Sequence, residues 1–219
     1  EYQFKEEAGL LVRLALGEFV DAVSRDTATP GGGSAAALCG ALSAALSAMV
    51  ANLTIGKKGY EHAQAELKEA ALKAQNLKEE MLRAIDEDSR AFDKVMEAYR
   101  LPGATDAQAR EKESALQGAY VKATRVPLGL LEKSVALLEL ARTAALKGNR
   151  NSLSDAGVAA LAAETTAVGA RYNILINLPN IPDDTFREDV KRRAEALLDR
   201  AAGLAAEVKG LVAEELRKA

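Results

Sequence analysis

The sequence predicts an all-α fold: a bundle of long antiparallel helices around two apolar helices rich in small residues. Three observations carry this. Ala, Leu, Glu, Lys and Arg dominate, aromatics make up only 4% and Trp is absent, a composition of helix formers. Apolar residues recur at helical spacing through most of the chain, and no run alternates as a strand would. Two stretches, 27–56 and 157–178, are rich in Ala, Gly and other small residues; the first has no charged side chain, so a helix there would be apolar on every face and buried. At 219 residues the chain (1–219) is read as one domain with a sizeable core.

The elements follow in order. Residues Phe4 to about Ser24 carry Leu10, Leu11, Leu14, Leu16 and Phe19 among charges and read as a first amphipathic helix. Asp26 to Gly33 connects to the first apolar helix, which runs to about Ile55 and has small residues at Ala36, Gly40, Ala44 and Ala48. Gly56-Lys57-Lys58-Gly59 is a basic turn. From Tyr60 to about Arg100 there is neither Pro nor Gly, which gives one long helix stopped at Leu101-Pro102-Gly103. Thr105 with Gln108 forms a capping box for the next, which continues to about Lys147 with a kink expected at Pro127. Gly148-Asn149 ends it. Ser152 and Asp155 mark the start of the second apolar helix, which Pro179 and Pro182 break. Thr185 with Glu188 reads as the final capping box, and the last helix runs to about Leu216.

Charge and composition narrow the partners. A net charge of −3 with both signs interspersed argues against nucleic acid. The 27–56 stretch is long enough to span a bilayer, yet Asn52 and Thr54 interrupt it and the other helices are charged amphipaths. No membrane partner is expected. The single Cys, Cys39, fits a reducing setting, and the start Glu-Tyr-Gln-Phe-Lys-Glu-Glu lacks the features of a signal peptide. The expected location is cytoplasmic. Wide apolar faces on long helices point to a homodimer.

The loop before the first apolar helix is chemically distinctive. Pro30 fixes the backbone, Gly31, Gly32 and Gly33 open it, and Ser34 is placed to cap the helix. A helix N-terminus so exposed suits a carboxylate or the amide edge of a heterocycle. Asp88 lies on the inward face of the long helix, three residues after Ile85 and four before Phe92. A buried carboxyl is either ion-paired across a helix interface or raised in pKa and fit for acid–base work. Asp86 and Asp93 fall nearer the edge of the stripe, where solvent reaches them. Asp155 either completes a capping box or stands as a second functional carboxyl at the mouth of the second apolar helix. Asn149 offers a neutral amide beside it. The only His, His62, lies in a polar segment and reads as surface. With one His and one Cys no zinc site of that type is expected. Lys57 and Lys58 end the first apolar helix, so they reach its N-terminal loop only through another helix or another subunit.

Four blocks taken together resemble a known family: Thr29 to Ala37 with the preceding Asp21-Ala22-Val23; Asp86 to Phe92 with Leu101-Pro102; Gly148-Asn149 with Ser154 to Ala160; and Tyr172 to Leu178. In this order they are similar to the cyclodeaminase domain of formiminotransferase-cyclodeaminase and its stand-alone bacterial relatives. The resemblance implies a dimer-forming helical bundle and a tetrahydrofolate substrate carrying a one-carbon unit at N5 or bridging N5 and N10. Two reactions come with it. Cyclodeamination of 5-formimidoyltetrahydrofolate releases ammonia and forms the 5,10-methenyl compound; cyclohydrolysis opens that compound to 10-formyltetrahydrofolate. Both need a base and an acid at one carbon and neither metal nor redox cofactor. The cyclodeaminase is the first expectation, the cyclohydrolase the second, and a non-catalytic folate-binding scaffold the third. On this reading Asp88 and Asp155 are the acid–base pair, with Asp86 as substitute for the first. Pro30, Gly31, Gly32, Gly33 and Ser34 cradle the pterin or a carboxylate, and Asn149 orients it. Lys57 and Lys58 meet the glutamate or polyglutamate tail. A formiminotransferase chain is the further partner the resemblance raises.

Overall fold

The computed structural model describes residues 10–218, so the expected helical start at Phe4 lies outside the described residues. Six helices and no strand are present among them: α1 (Leu16–Val23), α2 (Gly32–Asn52), α3 (Gln64–Tyr99), α4 (Asp106–Lys147), α5 (Leu153–Asn177) and α6 (Asp184–Arg217). The first amphipathic stretch is shorter than expected. A single 3-10 turn at Leu11–Arg13 precedes α1.

Short connections make successive helices antiparallel neighbours. The apolar helices α2 and α5 pack on each other, with α3 and α4 against them and α6 against α4 and α5. Small residues allow this closeness. A Cβ at Gly40 would lie 2.8 Å from Met81 Sδ, and the Thr166 hydroxyl donates to the Ala36 carbonyl across the α2–α5 seam at 2.9 Å. Leu130, Leu131, Leu137 and Leu138 of α4 fill the core between these layers. One described helix, α2, is long and apolar enough to cross a membrane, and 61% of its most apolar window is buried inside the protein.

The helix ends confirm one capping box and correct two. The Thr105 hydroxyl accepts from Gln108 N at 3.3 Å while Gln108 Oε1 accepts from Thr105 N at 3.2 Å. At α6 the cap is Asp183, whose carboxylate accepts from Phe186 N, so Thr185 lies inside the helix. At α5 the Ser152 side chain makes no cap hydrogen bond, and Asp155 therefore belongs to no capping box. Helix α4 is one element of 42 residues with Pro127 inside it, about 63 Å long.

Candidate functional site

Local sequence builds the site at the N-terminus of α2. Gly31, extended, is the cap residue and makes no side-chain bond, so Ser34 is the third residue of the helix and not its cap. This corrects the expected capping role. Its buried hydroxyl lies 2.9 Å from the Ile85 carbonyl oxygen, 3.1 Å from Asp88 Oδ2 and 3.0 Å from Ser89 Oγ. One hydroxyl proton serves both the carbonyl and the carboxyl. The Ser34 backbone N–H also bonds Asp88, so a carboxyl from α3 caps α2 across the interface. The expected bare helix end is thus already met by the residue expected to do the chemistry.

Gly33 makes this possible. A Cβ there would land on the Asp88 carboxyl group, so only hydrogen leaves room for it. Burial lifts the Asp88 carboxyl above the usual carboxylate range, against the Ser34 hydroxyl and backbone N–H that pull it down. The outcome is a partly buried acid, without an ion-pair partner among the described residues, beside the positive end of a helix. Of the two roles its inward position left open, the ion-paired one is absent among the described residues.

Around Asp88 is a cavity of about 120 Å³, lined by Gly31, Gly32, Gly33, Phe92, Asn173 and Ile176 among others. Pro30 is half-buried and does not line it, although its neighbours Thr29 and Gly31 do. Asn173 and Asn177, one turn apart on α5, also line it and had no assigned role from sequence. Two amides at four-residue spacing on a helix rich in small apolar residues were the available signal. Asn173 Nδ2 donates to Gly169 O at 2.8 Å and Asn177 Nδ2 to Ala123 O at 3.0 Å. Pro127 explains the second bond. Lacking an N–H, it leaves the carbonyl of Ala123, four residues earlier, without its helical donor, and the Asn177 amide fills the vacancy. The expected kink position therefore serves to orient a cavity side chain. Pro127→Ala should raise the melting temperature, because the helix regains a bond, while raising KM several-fold as Asn177 loses its anchor; a melting curve and a substrate titration check both.

Other expected residues lie elsewhere. Asp86 is buried, not solvated, because the N-terminal segment folds over it: its Oδ1 accepts from Leu11 N at 2.7 Å. It tethers the 3-10 turn and does not line the cavity. Asp93 is exposed as expected and accepts from the Thr29 hydroxyl at 2.9 Å, which holds the glycine loop. Asn149 is buried at the opposite end of α2. Its N–H donates to Thr54 Oγ1 at 2.8 Å and its Oδ1 accepts from Asn151 N at 3.1 Å, so it shapes the turn into α5. Half-buried Asp155 and exposed Lys57 and Lys58 share that end. Because α5 runs antiparallel to α2, the eighteen residues from Asp155 to Asn173 separate it from the cavity by about 27 Å. The structure does not bring the two expected catalytic carboxyls together within one chain.

Two other hollows compete poorly. One of about 420 Å³ lies among Leu175, Leu178, Pro179, Arg187, Glu188 and Lys191, and one of about 220 Å³ lies beside Glu66 and Glu139. Neither is lined by a buried charged side chain. Among the described residues no cluster of three or more His, Cys, Asp or Glu side chains could hold a metal ion.

Known proteins resemble this chain over most of its length. The family model described as formiminotransferase-cyclodeaminase matches residues 15–196, a span that includes the glycine loop and both carboxyls. A methenyltetrahydrofolate cyclohydrolase of Methylorubrum extorquens is 41% identical over 186 residues, which is 85% of this chain and 89% of that protein. A formimidoyltransferase-cyclodeaminase of Mus musculus is 37% identical over 200 residues, 91% of this chain and only 37% of the mouse protein. The crystal structure of a formiminotetrahydrofolate cyclodeaminase from Thermotoga maritima superposes with a TM-score of 0.84 at 31% identity, covering 93% of this chain and 98% of that one. By matched length, identity and shared helical fold, this chain belongs to the formiminotransferase-cyclodeaminase family.

Proposed function

We propose that the protein makes or opens the C–N bond of the carbon held between N5 and N10 of tetrahydrofolate, with Asp88 as the proton-transfer group. The observation that supports this is the raised, unpaired Asp88 carboxyl in the glycine-lined cavity at the start of α2. A carboxyl raised above its ordinary value can take a proton from the attacking atom and return one to the departing nitrogen. Phe92 and Ile176 offer apolar walls for a flat heterocycle, and the Asn173 and Asn177 amides offer oxygens to its N–H edge. The proton transfers of this reading call for no metal or redox cofactor.

Two reactions use this step. With water as the attacking group, 5,10-methenyltetrahydrofolate opens to 10-formyltetrahydrofolate; the 41% identity to the cyclohydrolase over most of both chains favours this reading. With N10 attacking a 5-formimidoyl group, ammonia leaves and the methenyl ring closes; the full-length match to the Thermotoga cyclodeaminase favours this second reading. A polyglutamylated substrate, a cytoplasmic location and a formiminotransferase partner complete the proposal.

Purified protein mixed with each substrate decides between them. Accelerated decay of the near-ultraviolet methenyl band, with no ammonia formed from the formimidoyl substrate, is the result expected for the hydrolase. Growth of that band with matching ammonia release identifies the cyclodeaminase. Spontaneous rates in both mixtures, from folded protein, would overturn the proposal.

A further inference from the structure

The cavity around Asp88 has one wall that is not a helix. Ala28, Thr29 and Gly31 come from the loop between α1 and α2, whereas every other lining residue sits on α2, α3, α4 or α5. Helix walls are held by the packing of whole apolar faces, and a short loop has no such face to pack. This wall therefore needs a fastening of its own.

The support it receives from α1 is slight. That helix is buried only at Phe19 and Ala22, while Leu16 and Val20 stand 72% and 57% exposed. The chain before α1 is tied to α3 where Asp86 accepts from Leu11 N, well ahead of the loop in sequence. Inside the loop the Thr27 hydroxyl donates to the Thr29 carbonyl oxygen at 2.8 Å, which closes the turn on itself without attaching it to the bundle. One bond makes that attachment. The Thr29 hydroxyl donates to Asp93 Oδ1 at 2.9 Å, and among the described residues no other side chain outside the loop is hydrogen-bonded to residues 26–31. Its acceptor is a carboxylate, and such a bond is roughly twice as strong as one between neutral groups.

One turn of α3 thus supplies both a wall and the fastening of another wall. Phe92 lines the cavity, and Asp93, the next residue, holds the loop that also lines it. The gap between the Phe92 ring and the backbone of residues 29–31, which a flat heterocycle has to enter, is then set by a single hydrogen bond. Asp88 lies five residues earlier on α3, about 7.5 Å along the helix, and holds Ser34 in the first turn of α2. Two carboxyls of one helix therefore grip the two ends of residues 29–34.

We propose that Asp93 is a positioning residue for the ligand of this cavity, acting through the Thr29 hydroxyl to hold the wall of residues 28–31 where the ligand meets it. A loop already held in place loses less freedom when a ligand binds, so the latch adds to ground-state affinity. Proton transfer is left to Asp88, whose bonds to Ser34 do not pass through the loop. The inference rests on the folate reading of the cavity.

Steady-state kinetics on whichever folate the native protein turns over, with melting curves alongside, make the test. Thr29→Val keeps the shape of the side chain and removes the donor; Asp93→Ala removes the acceptor. Each should raise KM about tenfold, the scale of one hydrogen bond to a charged group, while kcat changes by less than about threefold, the pattern of lost ground-state binding. Thr29→Ser and Asp93→Asn, which keep a donor and an acceptor, should recover most of that affinity. The double variant Thr29→Val/Asp93→Ala should be about as impaired as either single one, because both remove the same bond. A merely structural role gives a different result, a lower melting temperature with KM unchanged. That result, additive losses in the double variant, or no recovery in either conservative variant would overturn the inference and leave the folate reading standing. A folded native protein that turns over neither folate would remove both.

Discussion

Asp88→Asn is expected to lower turnover by about 100- to 10,000-fold, the usual contribution of one acid–base group, while leaving the protein more stable at neutral pH. The two effects have one cause. Burial lifts the Asp88 carboxyl in the folded state above its ordinary value, so between the unfolded and folded pKa values the native chain holds more of the proton. Stability then falls as pH rises through that window, and the whole penalty is present above the folded pKa. An amide has no charge to desolvate and can still accept from the Ser34 N–H. The melting temperature of Asp88→Asn should therefore exceed that of the native protein at neutral pH. The gap should close toward pH 4. Melting curves of both proteins across pH, with turnover at one pH, make the check; an equal gap at all pH values would show that burial does not act through the carboxyl's charge.

Gly33→Ala should have the second largest effect, and its sign is opposite to the usual rule. A helix-interior glycine replaced by alanine normally stabilises by about 0.5–1 kcal/mol. Gly203 and Gly210 in α6 have nothing within 4 Å of an added Cβ, so alanine at either should follow that rule. At Gly33 the new methyl would occupy the space of the Asp88 carboxyl group. Overpacking of this kind costs about 1–3 kcal/mol, and the displaced carboxyl loses its place against α2. Turnover should fall at least 100-fold, within the acid–base range, with circular dichroism unchanged at low temperature. Full turnover in Gly33→Ala would remove the close approach from the mechanism.

Much of this was legible in the sequence because it depends on periodicity. The inward position of Asp88 follows from Ile85 and Phe92, and the extent of α3 and α4 follows from the absence of breakers and the Thr105–Gln108 box. What periodicity could not show was which chain segment lies across from each residue. Asp86 is solvated by its place on α3 and buried by the backbone of Leu11, which arrives from 75 residues away. Ser34 has a capping residue's chemistry at a position where another helix supplies the cap. The Ser152 and Thr185 boxes failed because Ser152 makes no cap bond and because Asp183, two residues earlier, caps α6 instead. Asn177 gained a role only through the carbonyl that Pro127 leaves on a different helix. The separation of Asp155 from Asp88 likewise follows from the antiparallel course of α5, which no local pattern encodes.

The uncharged character of α2 also sets a problem of timing during synthesis. Its wall on one side, α3, is made directly after it, but α5 begins at Leu153, about a hundred residues later. At the usual ~5–20 residues per second of synthesis, α2 waits roughly 5–20 s for that wall, as a 21-residue apolar helix of a length that membrane-insertion machinery accepts. Its Ala, Gly and Ser content serves it then as well as later. Residues small enough to let α3 and α5 approach in the finished bundle are also weak drivers of insertion and aggregation, so one choice of side chain protects the nascent chain and permits the close packing of the native one.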